Sequence, residues 1–592
     1  MNSSRKPGFL AKLIYMLTPR QKRQLVMLIL LMIIGMLFEM MGLGILIPSL
    51  VVIVDPDIST SYPALRPYLN MIGNPSQQQL VIYGMLSLVA IYIVKSVFLI
   101  FLSWKQSRFS AELSANLSQR LFDGYLKQPY IFHLQRNSAL LIRNIQGEIN
   151  QFADVSRSVI NVSIELSALI GVASILVFAE PVGAISVTAF LVVLSLLFQR
   201  LTKKRLLFWG KFRQLHDGAM NQHLMQGLSG IKDVKLMGRE KYFVSRFAYH
   251  SNENAKIFTN QYALKQIPRM YLELLAVVAL AAIIIIFILQ GKPLGLLIPT
   301  IGIFMAAAFR MIPCFYRIMG ATQQIRYARP VVDVLYNEFQ AVNAAAEENA
   351  KMPDTIRFEK IIEIKGLSFR YPQTSNWVIK NINIHIERGK SIGFIGQSGS
   401  GKTTFINLLI GLLEPQKGSI EVDGKNINSG TRSWQNQIGY IPQTIYLTDD
   451  TLRHNIAFGI EENKIDDAAI AHAVKAAQLD EFISELPDGL STSVGERGVR
   501  ISGGQRQRIG IARALYHYPT VLVMDEATSA LDSITEKEIM KSIDFLKNKK
   551  ITILIIAHRL TTLTNCDWIY KFEKGSIFAE GKPVDMIGEK VK

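Results

Sequence analysis

Cysteine is nearly absent: Cys314 and Cys566 are the only two in 592 residues. A pair so far apart builds no disulfide framework. That excludes the small stapled secreted class and fits a reducing cytosolic face. Acids are missing from Met1 to Arg23, where Arg5, Lys6, Lys12, Arg20, Lys22 and Arg23 stand. The apolar run behind this basic segment is far too long for a cleavable signal peptide, and the positive charge places the segment in the cytoplasm. No internal repeat is found, so one chain holds one unit of each kind. Charge is missing again from long runs before about residue 320, while an ordinary soluble composition follows. The chain therefore reads as a membrane half and a soluble half. The net charge of +18 is the excess of Lys and Arg that membrane proteins carry on cytoplasmic segments, not a nucleic-acid footprint.

Six apolar spans are present, over about 24–54, 80–104, 159–178, 182–201, 271–289 and 295–319. The first exceeds a hydrocarbon core of about 30 Å at about 1.5 Å per residue, so it tilts or projects. Segments 105–156 and 202–266 are polar, long and helical in pattern, and are expected in the cytoplasm with both termini. Outside, Asp55 to Gln79 is rich in Pro, Ser and Asn, and Ala64 to Ile72 is a candidate external amphipathic helix. The domains expected are a basic segment 1–23, a transmembrane domain 24–340, an Ala/Glu/Asn-rich linker 341–355 and an α/β nucleotide-binding domain 356–592.

The soluble half is organised around Gly396-Gln397-Ser398-Gly399-Ser400-Gly401-Lys402-Thr403-Thr404. An apolar strand, Ser391 to Ile395, precedes it and an apolar helix, Phe405 to Leu413, follows. Strand, glycine loop, Lys-Thr and helix make a phosphate-binding loop. Glycines let successive backbone N–H groups turn toward phosphate oxygens, and the helix N-terminus adds a positive dipole end. Lys402 neutralises the outer phosphates and Thr403 offers its hydroxyl to Mg²⁺. Farther on, the buried-strand run Val521 to Met524 ends in Asp525-Glu526. Asp525 is placed for the Mg²⁺ shell and Glu526 for the attacking water.

Just before that strand stands Ile501-Ser502-Gly503-Gly504-Gln505-Arg506-Gln507-Arg508. Here the sequence resembles the ATPase of ABC transporters, with Ser502, Gly503, Gly504 and Gln505 in the place of its signature. Ile501 stands where Leu is commoner. The resemblance implies further roles: Tyr371 stacks on adenine, and Gln443 senses Mg²⁺ and the attacking water. Gly495 to Gly498 forms the X-loop, Ser529 to Asp532 the D-loop, and His558 contacts the γ-phosphate. It also implies that the signature of one subunit closes on ATP held by another, hence a homodimer with two symmetric sites. A heterodimer with a similar second chain is the alternative.

Six spans fused to this ATPase resemble an ABC exporter half-transporter. The implied fold class is multidomain: an all-α six-helix transmembrane domain (type I exporter, type IV fold) plus an α/β P-loop ABC ATPase. Importers usually divide these parts between chains, and no protease domain is expected before the first span. The turns near Tyr130 to Arg136 and Gly230 to Arg239 are expected to be coupling helices.

Substrate is read from polar groups inside the spans. Lys95, Arg269, Arg310 and Arg317 fall in the cytoplasmic half, and the last two lie seven apart on one helix face. Such cations suit a phosphate or pyrophosphate. The alternatives are that Arg269 and Arg317 snorkel to inner-leaflet lipid, and that Glu39, mid-way along the first span, is a structural partner of one cation. Phe38-Glu39-Met40, Ile267-Pro268-Arg269-Met270 and Phe309-Arg310-Met311-Ile312-Pro313 with Arg317 resemble the PglK-type flippases of lipid-linked oligosaccharides. The expectation is an ATP- and Mg²⁺-dependent flippase of a polyprenyl-pyrophosphate-linked glycan in the cytoplasmic membrane. A broad lipid or drug exporter is the alternative, and a non-transporting regulatory ABC protein is a third reading, against which Glu526 stands.

Overall fold

The computed structural model describes residues 7–54, 76–179, 181–289, 294–349, 354–495, 498–526, 536, 550–557 and 560–587. The chain divides into two compact units. One comprises Met1–Gln128 and His133–Asn349, the other Pro129–Phe132 and Ala350–Lys592.

Each expected span lies inside one long helix. These helices are α2 (Pro19–Val54), α3 (Gln77–Leu126), α6 (Ile149–Ala179), α7 (Pro181–Ser229), α9 (Glu240–Leu289) and α10 (Leu294–Tyr327). Shorter helices α1 (Phe9–Met16), α4 (Tyr130–Gln135), α5 (Ser138–Arg143) and α8 (Ile231–Leu236) stand between or before them, and α11 (Arg329–Asn349) follows. Among the described residues, Pro19–Phe38, Val81–Leu126 and Ser138–Ser174 are long and apolar enough to cross a membrane. Large apolar side chains such as Ile100, Leu201 and Leu274 face outward, as expected where lipid replaces water. Inside, Val172, Leu191, Leu272, Met311, Phe315 and Met319 form a buried cluster.

Two features add to the expectation. The segment 1–23 contains a docked helix: Leu13 and Met16 of α1 are buried, Lys12 pairs with Asp333 at 2.6 Å, and Arg120 donates to the Met16 carbonyl at 2.8 Å. The linker is helical over its first part, because α11 runs on to Asn349. Ala and Glu there are strong helix formers, and the composition that marks a linker also suits a helix. The external helix expected at 64–72 lies outside the described residues.

In the second unit, an antiparallel four-stranded sheet holds, in spatial order, Ile379–Glu387 (β2), Ile361–Phe369 (β1), Lys417–Val422 (β4) and Lys425–Asn426 (β5), and it packs with a six-stranded sheet that starts from the edge strand Ser576–Gly581 (β10). The strands that matter are β3 (Ser391–Gly396), β6 (Ile438–Ile441), β7 (Val521–Asp525), β8 (Thr552–Ile556) and β9 (Trp568–Glu573). These five are parallel. Val521–Asp525 and Thr552–Ile556 are buried throughout, as parallel strands covered on both faces must be. Their carboxyl ends therefore share one edge, where ligands of open α/β sheets bind. The phosphate loop follows β3, Gln443 follows β6 and Glu526 follows β7.

Candidate functional site

The phosphate loop is shaped by positions that a side chain would not tolerate. Gly396, Gly399 and Gly401 have φ of 153°, 78° and 104°. A Cβ on Gly396 would lie 2.4 Å from the Phe572 carbonyl oxygen. Helix α12 (Lys402–Leu409) starts at the left-handed Gly401. Lys402 is buried, and its Nζ donates to the carbonyls of Gly396 at 2.8 Å and Gln397 at 3.0 Å. Burial holds its pKa below the ordinary lysine value, opposed by the charges of Glu526 and Asp525. The ammonium is thus desolvated beside two carboxylates, a setting for a highly charged ligand. Ser400 Oγ is buried with no hydrogen bond among the described residues. An anion's oxygen would satisfy it, so the loop fits a nucleotide phosphate.

Across the sheet edge, Asp525 is buried at the end of β7. Glu526 follows in the left-handed region, φ 50°, while its N–H bonds the Ile556 carbonyl at 3.0 Å. Backbone strain of this kind persists where the surroundings over-determine it. Gln443 Nε2 donates to Glu526 Oε2 at 2.7 Å, so two sequence-predicted residues from different strands meet. Burial pushes the Tyr440 phenol up to about 12, with the Asp525 charge adding to it. Sequence reasoning passes over Tyr440, which lies in the Tyr440-Ile441-Pro442-Gln443 stretch itself.

Tyr371 packs edge-on against Phe369, centroids 5.1 Å apart, and its hydroxyl lies 3.2 Å from Thr404 Oγ1. Its ring is thereby fixed beside the start of α12. Ser502 caps α13 (Gly503–Leu515) in a capping box: Ser502 N–H donates to Gln505 Oε1 at 2.9 Å, and Gln505 N–H to Ser502 Oγ at 3.2 Å. Ser502 and Gly503 are exposed, so the positive end of this helix is presented at the surface. His558, Asp532 and the middle of the X-loop, Glu496-Arg497, lie outside the described residues.

In the membrane unit, three helices line an open cavity of about 600 Å³. Its lining takes Ser158, Asn161 and Glu165 from α6, Lys265, Gln266 and Arg269 from α9, and Tyr316, Arg317 and Gln324 from α10. The structure thus brings Arg269 and Arg317 together. Each has a carboxylate: Arg269 Nε lies 2.9 Å from Glu273 Oε1, and Arg317 Nε 2.6 Å from Glu165 Oε1. Lys95 is buried, its Nζ 4.9 Å from the Tyr92 ring centre, and is not among the residues lining this cavity. The side chains of Glu39 and Arg310 lie outside the described residues. Glu165 and Lys265 escape the sequence reading. The signal for Glu165 is plain: it is the one charge in the third span, 159–178.

Fold and site define the class, a phosphate-loop ATPase fused to a helical membrane unit. Residues 24–308 match the family model for the ABC transporter transmembrane region, and residues 379–529 the model for the ABC transporter ATPase. An "ATP-dependent lipid A-core flippase" of Alkalilimnicola ehrlichii is 30% identical over 484 residues, covering 79% of this chain and 78% of its own. A protein of the same description from Wigglesworthia glossinidia brevipalpis is 30% identical over 547 residues, with 89% and 90% covered. A solved bacterial Atm1-family ABC exporter with ATP bound superposes with TM-score 0.76 at 21% identity, covering 96% of each chain. The chain belongs to the ABC transporter family. It is a membrane-embedded, exporter-type transporter that binds ATP and hydrolyses it.

Proposed function

We propose that this transporter is a flippase for an anionic glycolipid, and specifically for a polyprenyl-pyrophosphate-linked oligosaccharide. The observation that carries the reading is the cavity that sets Lys265, Arg269 and Arg317 beside Asn161, Gln266 and Gln324. Cations of this kind recognise phosphate oxygens. Amide side chains donate to and accept from sugar hydroxyls. A second reading is a phosphorylated saccharolipid, supported by relatives described as lipid A-core flippases. The two cargoes share phosphate, sugar and a hydrocarbon anchor, and differ in the anchor.

In this reading the working unit is a homodimer in the cytoplasmic membrane, with both termini inside. Each ATP lies on one subunit's phosphate loop and beneath the other's Ser502, Gly503, Gly504 and Gln505, with Asp532 near the same seam. Thr403, Asp525 and Gln443 would hold Mg²⁺, which when bound neutralises charge on the phosphate oxygens. Glu526 takes a proton from water as the water oxygen bonds to the terminal phosphorus. The bond to the bridging oxygen breaks, leaving ADP and phosphate. Gln443 holds the Glu526 carboxylate, and His558 is assigned to the terminal phosphate. ATP joins the nucleotide units and hydrolysis releases them, so differential binding to the two states drives the membrane unit.

The test is ATPase activity in liposomes with a polyprenyl-pyrophosphate glycan, a lipid A-core glycolipid or assorted apolar drugs. Stimulation by the first, abolished in Arg269→Ala and Arg310→Ala, is the expected result. Stimulation by the glycolipid alone would establish the second reading. Stimulation by drugs alone would make this a broad exporter and overturn both.

A further inference from the structure

The cavity holds a carboxylate among its cations, and that carboxylate engages the arginine best placed to take a phosphate. Glu165 Oε1 lies 2.6 Å from Arg317 Nε, joining α6 to α10. The two ends of the pair differ in access. The Glu165 side chain is 14% exposed, whereas that of Arg317 is 49% exposed. The carboxylate is tucked between helices and the guanidinium opens toward the cavity that both line. Glu165 takes the Nε–H, and Nη2 on the same edge lies 4.0 Å from Cys314 Sγ, a weak acceptor. Among the described residues, much of the five-donor fork of Arg317 is thus not committed to a strong acceptor.

The geometry points to Glu165 as a resident counter-ion: it holds Arg317 until a cargo phosphate takes its place, and takes the arginine back when the cargo leaves. This rests on the anionic-lipid reading above and extends it to selectivity and release. A lone arginine inside a membrane unit is costly, and a fixed carboxylate offsets that cost when no cargo is bound. The same carboxylate competes with every anion that enters. A phosphate monoester or pyrophosphate carries enough charge to displace it. A bulk phospholipid headgroup, singly charged or zwitterionic, does so poorly, so the carboxylate is a built-in discriminator against the bilayer itself. Arg269 lacks this arrangement, because Glu273 sits one turn away on its own helix and both are exposed. Breaking that pair frees no second helix.

The experiment uses the full-length protein in phosphatidylcholine nanodiscs, with ADP saturating the nucleotide sites so that they take up no pyrophosphate. Binding of radiolabelled farnesyl pyrophosphate is measured, with farnesol as the uncharged control and inorganic pyrophosphate as the soluble competitor. Glu165→Gln should tighten binding roughly tenfold, since a competing charge is removed. Arg317→Gln should abolish it, and Glu165→Asp should stay near wild type. Competition by inorganic pyrophosphate would show that the site reads the anion whatever its source. Failure to compete, with farnesol still unbound, would show that it reads a headgroup only in the context of its lipid. In liposomes, Glu165→Gln should lower both the half-stimulating cargo concentration and the maximal rate, because release slows. A merely structural ion pair would lower the rate and leave the half-stimulating concentration unmoved.

Binding by Glu165→Gln equal to or weaker than wild type, in protein that melts normally, overturns the proposal. So does an absence of farnesyl pyrophosphate binding in both. If no lipid-linked glycan stimulates hydrolysis while the binding pattern holds, the polyprenyl reading falls and the counter-ion stands.

Discussion

The two units carry their charges by opposite means. In the nucleotide unit, placement comes from backbone. Lys402 is held by the carbonyls of Gly396 and Gln397, Asp525 ends a buried strand, and Glu526 is fixed in a left-handed conformation. In the cavity of the membrane unit, placement comes from pairing of side chains, Arg269 with Glu273 and Arg317 with Glu165. Backbone placement leaves charged groups committed in position but open in chemistry. Pairing leaves them balanced, so that a ligand must compete for them. The first arrangement suits a site that does chemistry on a bound phosphate, the second a site that must also let its ligand go.

The largest effect that tests the contrast is at Glu526. Glu526→Gln should lower ATP hydrolysis by about 10²–10⁴-fold, the usual contribution of a positioned general base. Nucleotide binding should survive, and both are read by phosphate release and equilibrium binding. Lys402→Ala should weaken binding itself. Hydrolysis at the wild-type rate in Glu526→Gln would mean that the strained carboxylate is not the base, and the nucleotide half of the comparison would fail.

Next in size is a pairing site outside the cavity. Glu148 is fully buried at the end of a π-helical turn, Asn144–Glu148. Its Oε2 accepts from Arg213 at 2.9 Å and Gln214 at 3.0 Å. Arg213 also reaches Asp217 at 2.7 Å. Burial lifts the Asp217 carboxyl above its usual value, against the pull of Arg213. Removing Glu148 leaves Arg213 buried with part of its compensation gone. Glu148→Ala should therefore cost about 3–5 kcal/mol, as one-sided removal from a buried pair does. A thermal melt checks it, and Glu148→Gln should recover a large part. A melt within a degree of wild type would show that pairing in this unit is dispensable even where it is buried.

The same contrast decides how much of the molecule is legible in its amino-acid order. The nucleotide motif is legible because backbone placement is written in contiguous residues. Gly396, Gly399 and Gly401 are needed for their φ values, and the strand on one side and the helix on the other announce themselves by periodicity. The six long helices are legible from apolar runs, and the assignment to the ABC transporter family follows from motif order. The Gln443–Glu526 contact is harder, since β6 and β7 are neighbours only in the folded sheet. Of the carboxylates paired with the two cavity arginines, Glu273 is legible one helical turn from Arg269, whereas the pairing of Glu165 with Arg317 is not. Glu165 and Arg317 stand far apart in sequence, and nothing local tells which charges meet. The docked helix at Phe9–Met16 hides behind the basic residues around it, which suit an extended cytoplasmic tail equally well.

A smaller effect separates two roles of one residue. Ser502 caps its helix, and in the proposed dimer it also faces the partner's ATP. Loss of the cap in Ser502→Ala should cost about 1 kcal/mol, seen as a modest drop in the melt of the nucleotide unit. Ser502→Asp keeps a capping oxygen and adds a negative charge. It should restore the melt and still hydrolyse ATP poorly, because the charge would face phosphate. If Ser502→Asp restores both, Ser502 is a cap and nothing more, and the signature helix contributes through backbone N–H groups alone.

The smallest expected effect is the sharpest control on the pairing argument. Arg269 and Glu273 lie one turn apart on one helix, with side chains 64% and 56% exposed. Exposed pairs at this spacing contribute little to stability, and most of that is screened by salt. Glu273→Gln should leave the melt unchanged within error and move the half-stimulating cargo concentration by less than about twofold. Glu165→Gln removes the same charge from a residue that lines the cavity, as Glu273 does not, and should move that concentration several times further. The two variants differ chiefly in where the carboxylate stands, so equal shifts would mean that the cavity senses only its net charge. In that case the pairing of Arg317 across two helices would carry no selectivity, and the contrast between the two units would reduce to a difference in electrostatic potential.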